Sequence, residues 1–228
     1  MRYVLWDFDG TLANRSGMWS GALCDALAAH FPGLTFDPAQ VKVHLSSGFP
    51  WHEPDVEHFD LLTADAWWSR LLPVFERATT ALGLDQALVR DIAASTRVNY
   101  LDPSSWSVAE GGIEVLGALQ RQGWRQALIS NHVPELARIV ECLGFAPYLD
   151  RIFCSALIGV EKPHPAFFNQ VLHELGVSDE IWVIGDNVKA DIMGAKAAGL
   201  RAILVGSIDA RADHCVRQLG EIPYLLST

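Results

Sequence analysis

Tyr3-Val4-Leu5-Trp6-Asp7-Phe8-Asp9-Gly10-Thr11-Leu12 is the stretch from which the rest of the chain can be read. A short apolar run of strand-forming residues ends on two carboxylates two positions apart, followed by Gly-Thr. The run reads as a buried strand, and Asp9-Gly10 reads as a tight turn leaving the sheet. Ligands of open α/β sheets bind just beyond the carboxyl ends of the strands. Asp7 and Asp9 therefore stand where chemistry is expected, unless they only solvate a strand end, a common use of Asp in turns.

Working outward, apolar runs of strand length recur at 126–129, 151–154, 181–184 and 201–205. Helical patterns lie between them, at 109–122, 134–143, 165–175 and 189–198, each followed by a glycine, a common helix stop. This alternation predicts βαβ units: a Rossmann-like, mostly parallel sheet with helices on both faces. In the tail, 209–219 reads as one more helix and 222–226 as an edge strand.

From 16 to 99 the strand rhythm disappears. Leu23, Leu27 and Phe31 share one helical face, as do Trp67, Leu71, Val74 and Phe75, and a third stripe holds Leu84, Leu88 and Ile92. Pro73 is expected to kink or break its helix. The pattern predicts two parts: an α/β core from 1–15 and 100–228, and a small all-helical domain from 16–99 inserted after the first strand.

Composition narrows the function. Of 228 residues half are hydrophobic and 19% are charged, enough apolar material for a real core. The formal charge of −10 argues against nucleic acid as a partner, because no basic surface is available to neutralise phosphates. A small anionic ligand remains compatible if a metal ion or a few basic side chains supply positive charge locally. The four cysteines form no CxxC pair, which fits a reducing cytoplasm. The first residues run into a strand rather than a signal peptide, and no apolar stretch approaches the roughly 20 residues needed to span a bilayer. A soluble, cytoplasmic protein without a membrane partner is expected.

Three further polar signals close three further apolar runs. Ser130-Asn131 offers a hydroxyl, an amide and backbone N–H groups suited to phosphate oxygens, though Ser-Asn is also ordinary loop chemistry. Lys162, in Glu161-Lys162-Pro163-His164-Pro165, is one of only four lysines. It is either a solvated loop residue or a point charge neutralising clustered carboxylates and an incoming dianion. Gly185-Asp186 ends a buried strand, and Asp191 follows near the first turn of a helix, where a carboxylate also suits the dipole. Each Asp has a purely structural reading as turn former or cap. Together, hard oxygen ligands with room for water and phosphate suit Mg²⁺.

Asp7-Phe8-Asp9-Gly10-Thr11-Leu12, Ser130-Asn131, Glu161-Lys162-Pro163 and Gly185-Asp186-x-x-x-x-Asp191, in this order, resemble the four motifs of the haloacid dehalogenase superfamily of phosphotransferases. The resemblance covers essentially the whole core and implies a Mg²⁺-dependent phosphomonoesterase acting on a small phosphorylated metabolite. It implies Asp7 as nucleophile forming an aspartyl-phosphate, and Asp9 as general acid–base. It further implies a metal held by Asp7, Asp186 and the backbone carbonyl of Asp9, with Asp191 in support. Lys162 and Ser130 complete the implied catalytic set, with Gly10, Thr11, Ser130, Asn131 and Lys162 at the substrate. Arg15, where the family's hinge meets the substrate, is a further candidate, its alternative being a plain surface arginine. The helical insertion resembles the family's mobile cap, which closes over the site.

Departures within the family sharpen this expectation. The dehalogenases proper lack the second acid, because halide leaves without a proton; here Asp9 is present. The carbon–phosphorus hydrolases add a Schiff-base lysine from the cap, and the only lysine between 16 and 99 is Lys42, with nothing around it that marks activation. Sugar phosphomutase chemistry on the same scaffold is the enzymatic alternative, and a non-catalytic metabolite-binding or regulatory module the alternative from another class. In the insertion, Trp19 reads as packing, Phe49, Trp51 and His52 as loop anchors or pocket wall, and at least one of Trp67 and Trp68 as helical core. His132 and His164 read as neighbours of the site rather than metal ligands.

Overall fold

A computed structural model describes residues 1–176 and 178–227. Its strands are β1 (Arg2–Trp6), β2 (Ala13–Arg15), β3 (Trp106–Val108), β4 (Arg125–Ser130), β5 (Arg151–Cys154), β6 (Glu180–Gly185), β7 (Arg201–Val205) and β8 (His214–Val216). Helices α1 (Met18–His30), α2 (Pro38–Lys42), α3 (Ala64–Ala81) and α4 (Gln86–Tyr100) precede β3. After it come α5 (Gly112–Arg121), α6 (Leu136–Cys142), α7 (Ser155–Ile158), α8 (Pro165–Leu175), α9 (Gly194–Ala197) and α10 (Ile222–Leu225).

Six strands form one parallel sheet in the order β5-β4-β1-β6-β7-β8. The fold is therefore the expected Rossmann-like α/β class. β1 is central, and the chain leaves it toward β4 on one side and β6 on the other, which makes its carboxyl end a topological switch point. The two-residue period of a strand sends its side chains to opposite faces. Val4 and Trp6 enter one apolar cluster with Leu128, Ile184 and Ile203, while Tyr3 and Leu5 enter another with Ile129, Val183 and Leu204. Both faces are buried, so these strands read as continuous apolar runs rather than alternating ones.

Immediately after β1 the chain turns through Gly10 into β2, which pairs antiparallel with β3, joining Ala13 to Val108 and Arg15 to Trp106. The helices α1 to α4 are spliced between these two short strands. Nothing in the sequence pattern marks this ribbon, since three-residue strands carry too little periodicity to detect. The stripes are helical except at two ends, Phe31 falling just past α1 and Leu84 just before α4. Leu23, Leu27, Trp67, Leu71, Val74, Phe75 and Ile92 are all buried in one cluster. Thr63 and Asp85 cap α3 and α4, accepting from Ala66 N at 3.3 Å and Ala87 N at 2.9 Å.

Three expectations fail locally. Pro73 does not break α3, which runs through it from Ala64 to Ala81. Pro73 and Ser69, whose carbonyl loses its helical donor to the proline, both lie on the exposed face, where water replaces the missing bond. The tail reverses the expected order: 209–219 contains a strand, β8, and 222–225 a helix. β8 covers the free edge of β7, and Asp213 just before it accepts from Ala202 N at 2.8 Å and Lys196 Nζ at 2.8 Å. Pro223 falls in the first turn of α10, a position proline favours. Finally, the helix expected at 189–198 begins as a π-helical turn, Val188–Met193, before α9. No helix among the described residues is long and apolar enough to cross a membrane.

Candidate active site

The backbone delivers three motifs to one point. Asp7 N donates to Ile184 O at 2.8 Å, extending the β1–β6 ladder one residue past the strand and setting Asp7 beside the end of β6. Ser130 ends β4 on the other flank. Two glycines make the approach possible. Gly10 has φ +83°, and a Cβ there would collide with Asp186 Oδ2; a Cβ on Gly185 would collide with Asp191 Oδ2. No side chain fits at either place.

Lys162 is the hub. Its ammonium has three protons, and the protein takes all of them: Asp191 Oδ1 at 2.6 Å, Asp7 Oδ1 at 2.7 Å and Ile129 O at 2.9 Å. Burial alone would push this lysine down, but Asp191 and Asp7 together outweigh it and hold the ammonium above its ordinary value. Its backbone is clamped by Asn131, whose Oδ1 accepts from Lys162 N at 2.7 Å while Nδ2 donates to Lys162 O at 2.9 Å. Asn131 was expected at the substrate; its side-chain amide braces Lys162, and the residue also lines the cavity over the carboxylates.

Asp191 is satisfied on both oxygens, by Lys162 and by Asn187 N at 3.0 Å. The π-helical turn allows this reach-back, and Asn187 in turn accepts from Lys189 N and Ala190 N, both at 3.0 Å. Asp7 Oδ2 has only Thr11 Oγ1 near it, at 3.5 Å, and Asp186 is exposed. Oxygens of Asp7, Asp186 and Asp191 lie within 4.8 Å of one another. With Asp9, four carboxylates share this volume with one ammonium. Burial raises Asp7, Asp9, Asp186 and Asp191 above the usual carboxylate range, Asp191 to about 6, and the neighbouring carboxylates add to it.

On the residues lining the cavity, Ser130 Oγ and Asp9 Oδ1 are buried without a protein partner among the described residues, as are His132 Nδ1 and Glu161 Oε2 close by. Asp9 Oδ1 lies 3.7 Å from His132 Nε2, whose ring also meets Tyr100 Oη at 3.3 Å. Burial pushes His132 down to about 3, so the ring beside Asp9 is neutral. His164, by contrast, serves α8 as its N-cap, accepting from Ala166 N at 3.1 Å.

A cavity of about 790 Å³ opens over the cluster. Asp7, Asp9, Ser130, Asn131, Lys162, Asp186 and Asp191 all line it; Gly10 and Thr11 support the cluster from behind without lining it. Arg15 must be corrected. Its guanidinium is turned away, bonded to Asp25 at 2.6 Å and to the carbonyls of Met18, Asn99 and Ser16 at 3.0, 3.1 and 3.3 Å. A buried guanidinium with five donors goes where acceptors converge, and here they converge where α1 meets the end of α4. The sequence reading overlooked Met18, Lys42, Pro54 and Lys189 as wall residues, and Trp19 and Trp51 both pack and line the cavity. It also overlooked Glu135, which takes Arg97 Nη2 at 2.7 Å and Trp68 Nε1 at 3.1 Å and so ties α3 and α4 to the loop after β4. Contacts between residues 38 and 67 positions apart leave no local signal.

The model of the haloacid dehalogenase-like hydrolases matches residues 1–199. The chain belongs to that family, a family of hydrolytic enzymes. Among its relatives is haloacid dehalogenase-like hydrolase domain-containing protein 3 of Bos taurus, 32% identical over 210 residues, 90% of this chain and 82% of that one. A phosphoserine phosphatase of Thermus thermophilus is 36% identical over 92 residues, 40% of this chain and 37% of that one. Among solved structures, YfnB from Bacillus subtilis bound to magnesium superposes with a TM-score of 0.78 at 22% identity, covering 100% of this chain and 99% of that one, which shows the shared fold.

Proposed function

We propose that this hydrolase is a Mg²⁺-dependent phosphomonoesterase acting on a small phosphorylated metabolite through an aspartyl-phosphate on Asp7. The observation that carries the reading is the convergence of Asp7, held by Lys162 at 2.7 Å, and Asp9, with an unpartnered oxygen, on one cavity. The phosphatase among its relatives supports it.

The metal fits the donor set. Four carboxylates against one ammonium leave an excess of hard oxygen donors, the type Mg²⁺ selects. Asp191 is already bonded on both oxygens, so Asp7 Oδ2, Asp186 and the backbone carbonyl of Asp9 would hold the ion, with Asp191 fixing Lys162. When bound, the cation supplies charge neutralisation that lets an anionic nucleophile approach an anionic phosphate.

The rest follows from the side chains. Asp7 attacks phosphorus, and the P–O bond to the leaving group breaks as Asp9 gives that oxygen a proton. Asp9, now ionised, takes a proton from water, which attacks the phosphorus of the aspartyl-phosphate, releases inorganic phosphate and regenerates Asp7. Ser130 Oγ donates to a phosphoryl oxygen, which accounts for a buried hydroxyl with no protein partner. His132, kept neutral, borders Asp9 at 3.7 Å without bonding it, so the Asp9 oxygen stays free for the proton it moves. Transfer to water needs only these groups.

The segment 16–99 is read as a cap domain on a core of 1–15 and 100–228. It supplies Met18, Trp19, Lys42, Trp51 and Pro54 to the cavity wall, and is tied to the core through Glu135 and through His58 N donating to Gly159 O at 2.6 Å. Four free cysteines support a reducing, cytoplasmic setting.

The test is phosphate release from a panel of phosphorylated metabolites, with Mg²⁺ or with chelator, for the native protein and for Asp7→Asn. Activity that needs Mg²⁺ and falls at least about 10³-fold in the variant is expected. Equal activity in both proteins would falsify the assignment of Asp7.

A further inference from the structure

Three of the chain's four lysines line the one cavity over the carboxylate cluster, and no arginine does. Lys162 has all its protons committed within the protein. Lys42 and Lys189 do not. Lys42 ends α2, in the helical insertion, and Lys189 follows β6 in the core, so the two reach the cavity from opposite parts of the chain. The remaining lysine, Lys196, is paired with Asp213 at 2.8 Å. Among the described residues, neither Lys42 nor Lys189 has a carboxylate within 4.0 Å, in a chain with 27 acidic residues and a net charge of −10. In so acidic a protein, two cations left without partners on the wall of a ligand cavity are available to a ligand.

The same cavity is also walled by two indoles. Trp19 lies parallel to Tyr100 at 3.9 Å and 9°, and Trp51 stacks on Phe49 at 4.9 Å and 20°, so both indoles are braced from behind. At about 790 Å³ the cavity has room for more than a transferred phosphoryl group.

Resting on the phosphatase reading, we infer that the leaving group of the substrate carries its own anionic group, a carboxylate or a second phosphate, held by Lys42 and Lys189, with its carbon skeleton against Trp19 and Trp51. Anionic ends then face cations at both extremes of the ligand: Lys162 and the metal at the transferred phosphoryl, Lys42 and Lys189 at the other.

Matched pairs of substrates test this with Mg²⁺ present: glycerol 3-phosphate against 3-phosphoglycerate for a carboxylate, and fructose 6-phosphate against fructose 1,6-bisphosphate for a second phosphate. The native protein is expected to favour the anion-bearing member of at least one pair by about tenfold or more in kcat/KM. That preference should fall about tenfold in Lys42→Gln and in Lys189→Gln, chiefly through KM, and the pair in which it falls identifies the anion. Both lysines are exposed, so the variants should fold, which circular dichroism checks. A native preference for the neutral members, a ratio unmoved by either variant, or equal loss on both members of a pair overturns the inference while leaving the phosphatase reading intact. Hydrolysis of no substrate by the native protein overturns both.

Discussion

At the strand ends, Lys162 reaches Asp7 and Asp191 with bonds of 2.7 and 2.6 Å, and every partner is fixed by backbone that the sheet itself aligns. Across the cavity, Trp19 lies against five other aromatic rings with centroids at 4.9 to 6.1 Å, besides the 3.9 Å stack on Tyr100, and apart from the bonds of Trp68 to Glu135 and Tyr100 to His132 their mutual packing sets the geometry. The floor is polar, directional and intolerant of displacement. The wall is apolar, built from area and shape, and tolerates change in proportion to the volume lost. Mutation in either region should cost stability, but only the floor should answer in kcat, whereas the wall should answer in affinity.

The largest expected effect tests the floor. Lys162→Met removes the cation between two buried carboxylates, so activity should fall about 10²- to 10³-fold through loss of positioning and charge stabilisation. Leaving Asp7 and Asp191 unpaired should also cost about 3 to 5 kcal/mol of stability in metal-free buffer, read by denaturant unfolding. A variant that unfolds as the native protein does would mean that the buried carboxylates do not depend on this lysine.

This contrast also explains what could be read in the sequence. Asp7, Ser130 and Asp186 were legible because topology places strand ends together, and an apolar run followed by a polar residue marks a strand end locally; Lys162, set past α7 rather than at the end of β5, was legible only through its proline-flanked motif. Asn131 was found but only half read: its brace on Lys162 rests on a 31-residue contact that leaves no local signal. Lys42, Lys189 and Glu135 were illegible because they meet their neighbours through the packing of the helical segment on the sheet. The tail failed for a related reason. Satisfying the free edge of β7 outweighed the local helical pattern at 209–219.

The wall yields the next effect. Trp19→Ala should destabilise the protein by about 3 kcal/mol, the low end for deleting a large aromatic side chain because Trp19 is half-buried. KM should rise more than kcat falls, since Asp7 and Lys162 are untouched. A fall in kcat alone would make Trp19 part of the floor and dissolve the distinction.

Glu161, next to Lys162, sharpens it through pH. The side chain is buried, its Oε2 has no partner among the described residues, and burial raises its pKa from 4.5 to about 7. The folded state thus holds this proton more tightly than the unfolded chain. Its contribution is full below pH 4.5 and is lost as pH rises through about 7, by roughly 2 to 3 kcal/mol. Glu161→Gln keeps a neutral side chain at every pH, so it should stabilise the protein at pH 8 and make little difference at pH 5. Equal shifts in denaturation midpoint at both pH values would show that Glu161 is not held protonated by the fold.

The smallest effect compares two cations directly. Arg15 and Lys162 are equally buried, with side chains 1% exposed, and both lie close in sequence to motif residues. Yet Lys162 faces the cavity with two buried carboxylates, whereas Arg15 faces away, with one carboxylate that is itself half exposed, Asp25 at 51%, and three backbone carbonyls. Arg15→Met keeps an apolar stem of similar length in the same space, returns Asp25 to water, and leaves the carbonyls of Ser16, Met18 and Asn99 to find solvent. The expected cost is about 1 to 2 kcal/mol of stability, with kcat and KM within about twofold of native, because no atom of the cavity loses a partner. If kcat/KM instead fell tenfold while stability held, Arg15 would swing into the cavity during turnover, and a buried structural cation would have to be counted among the residues that meet the substrate.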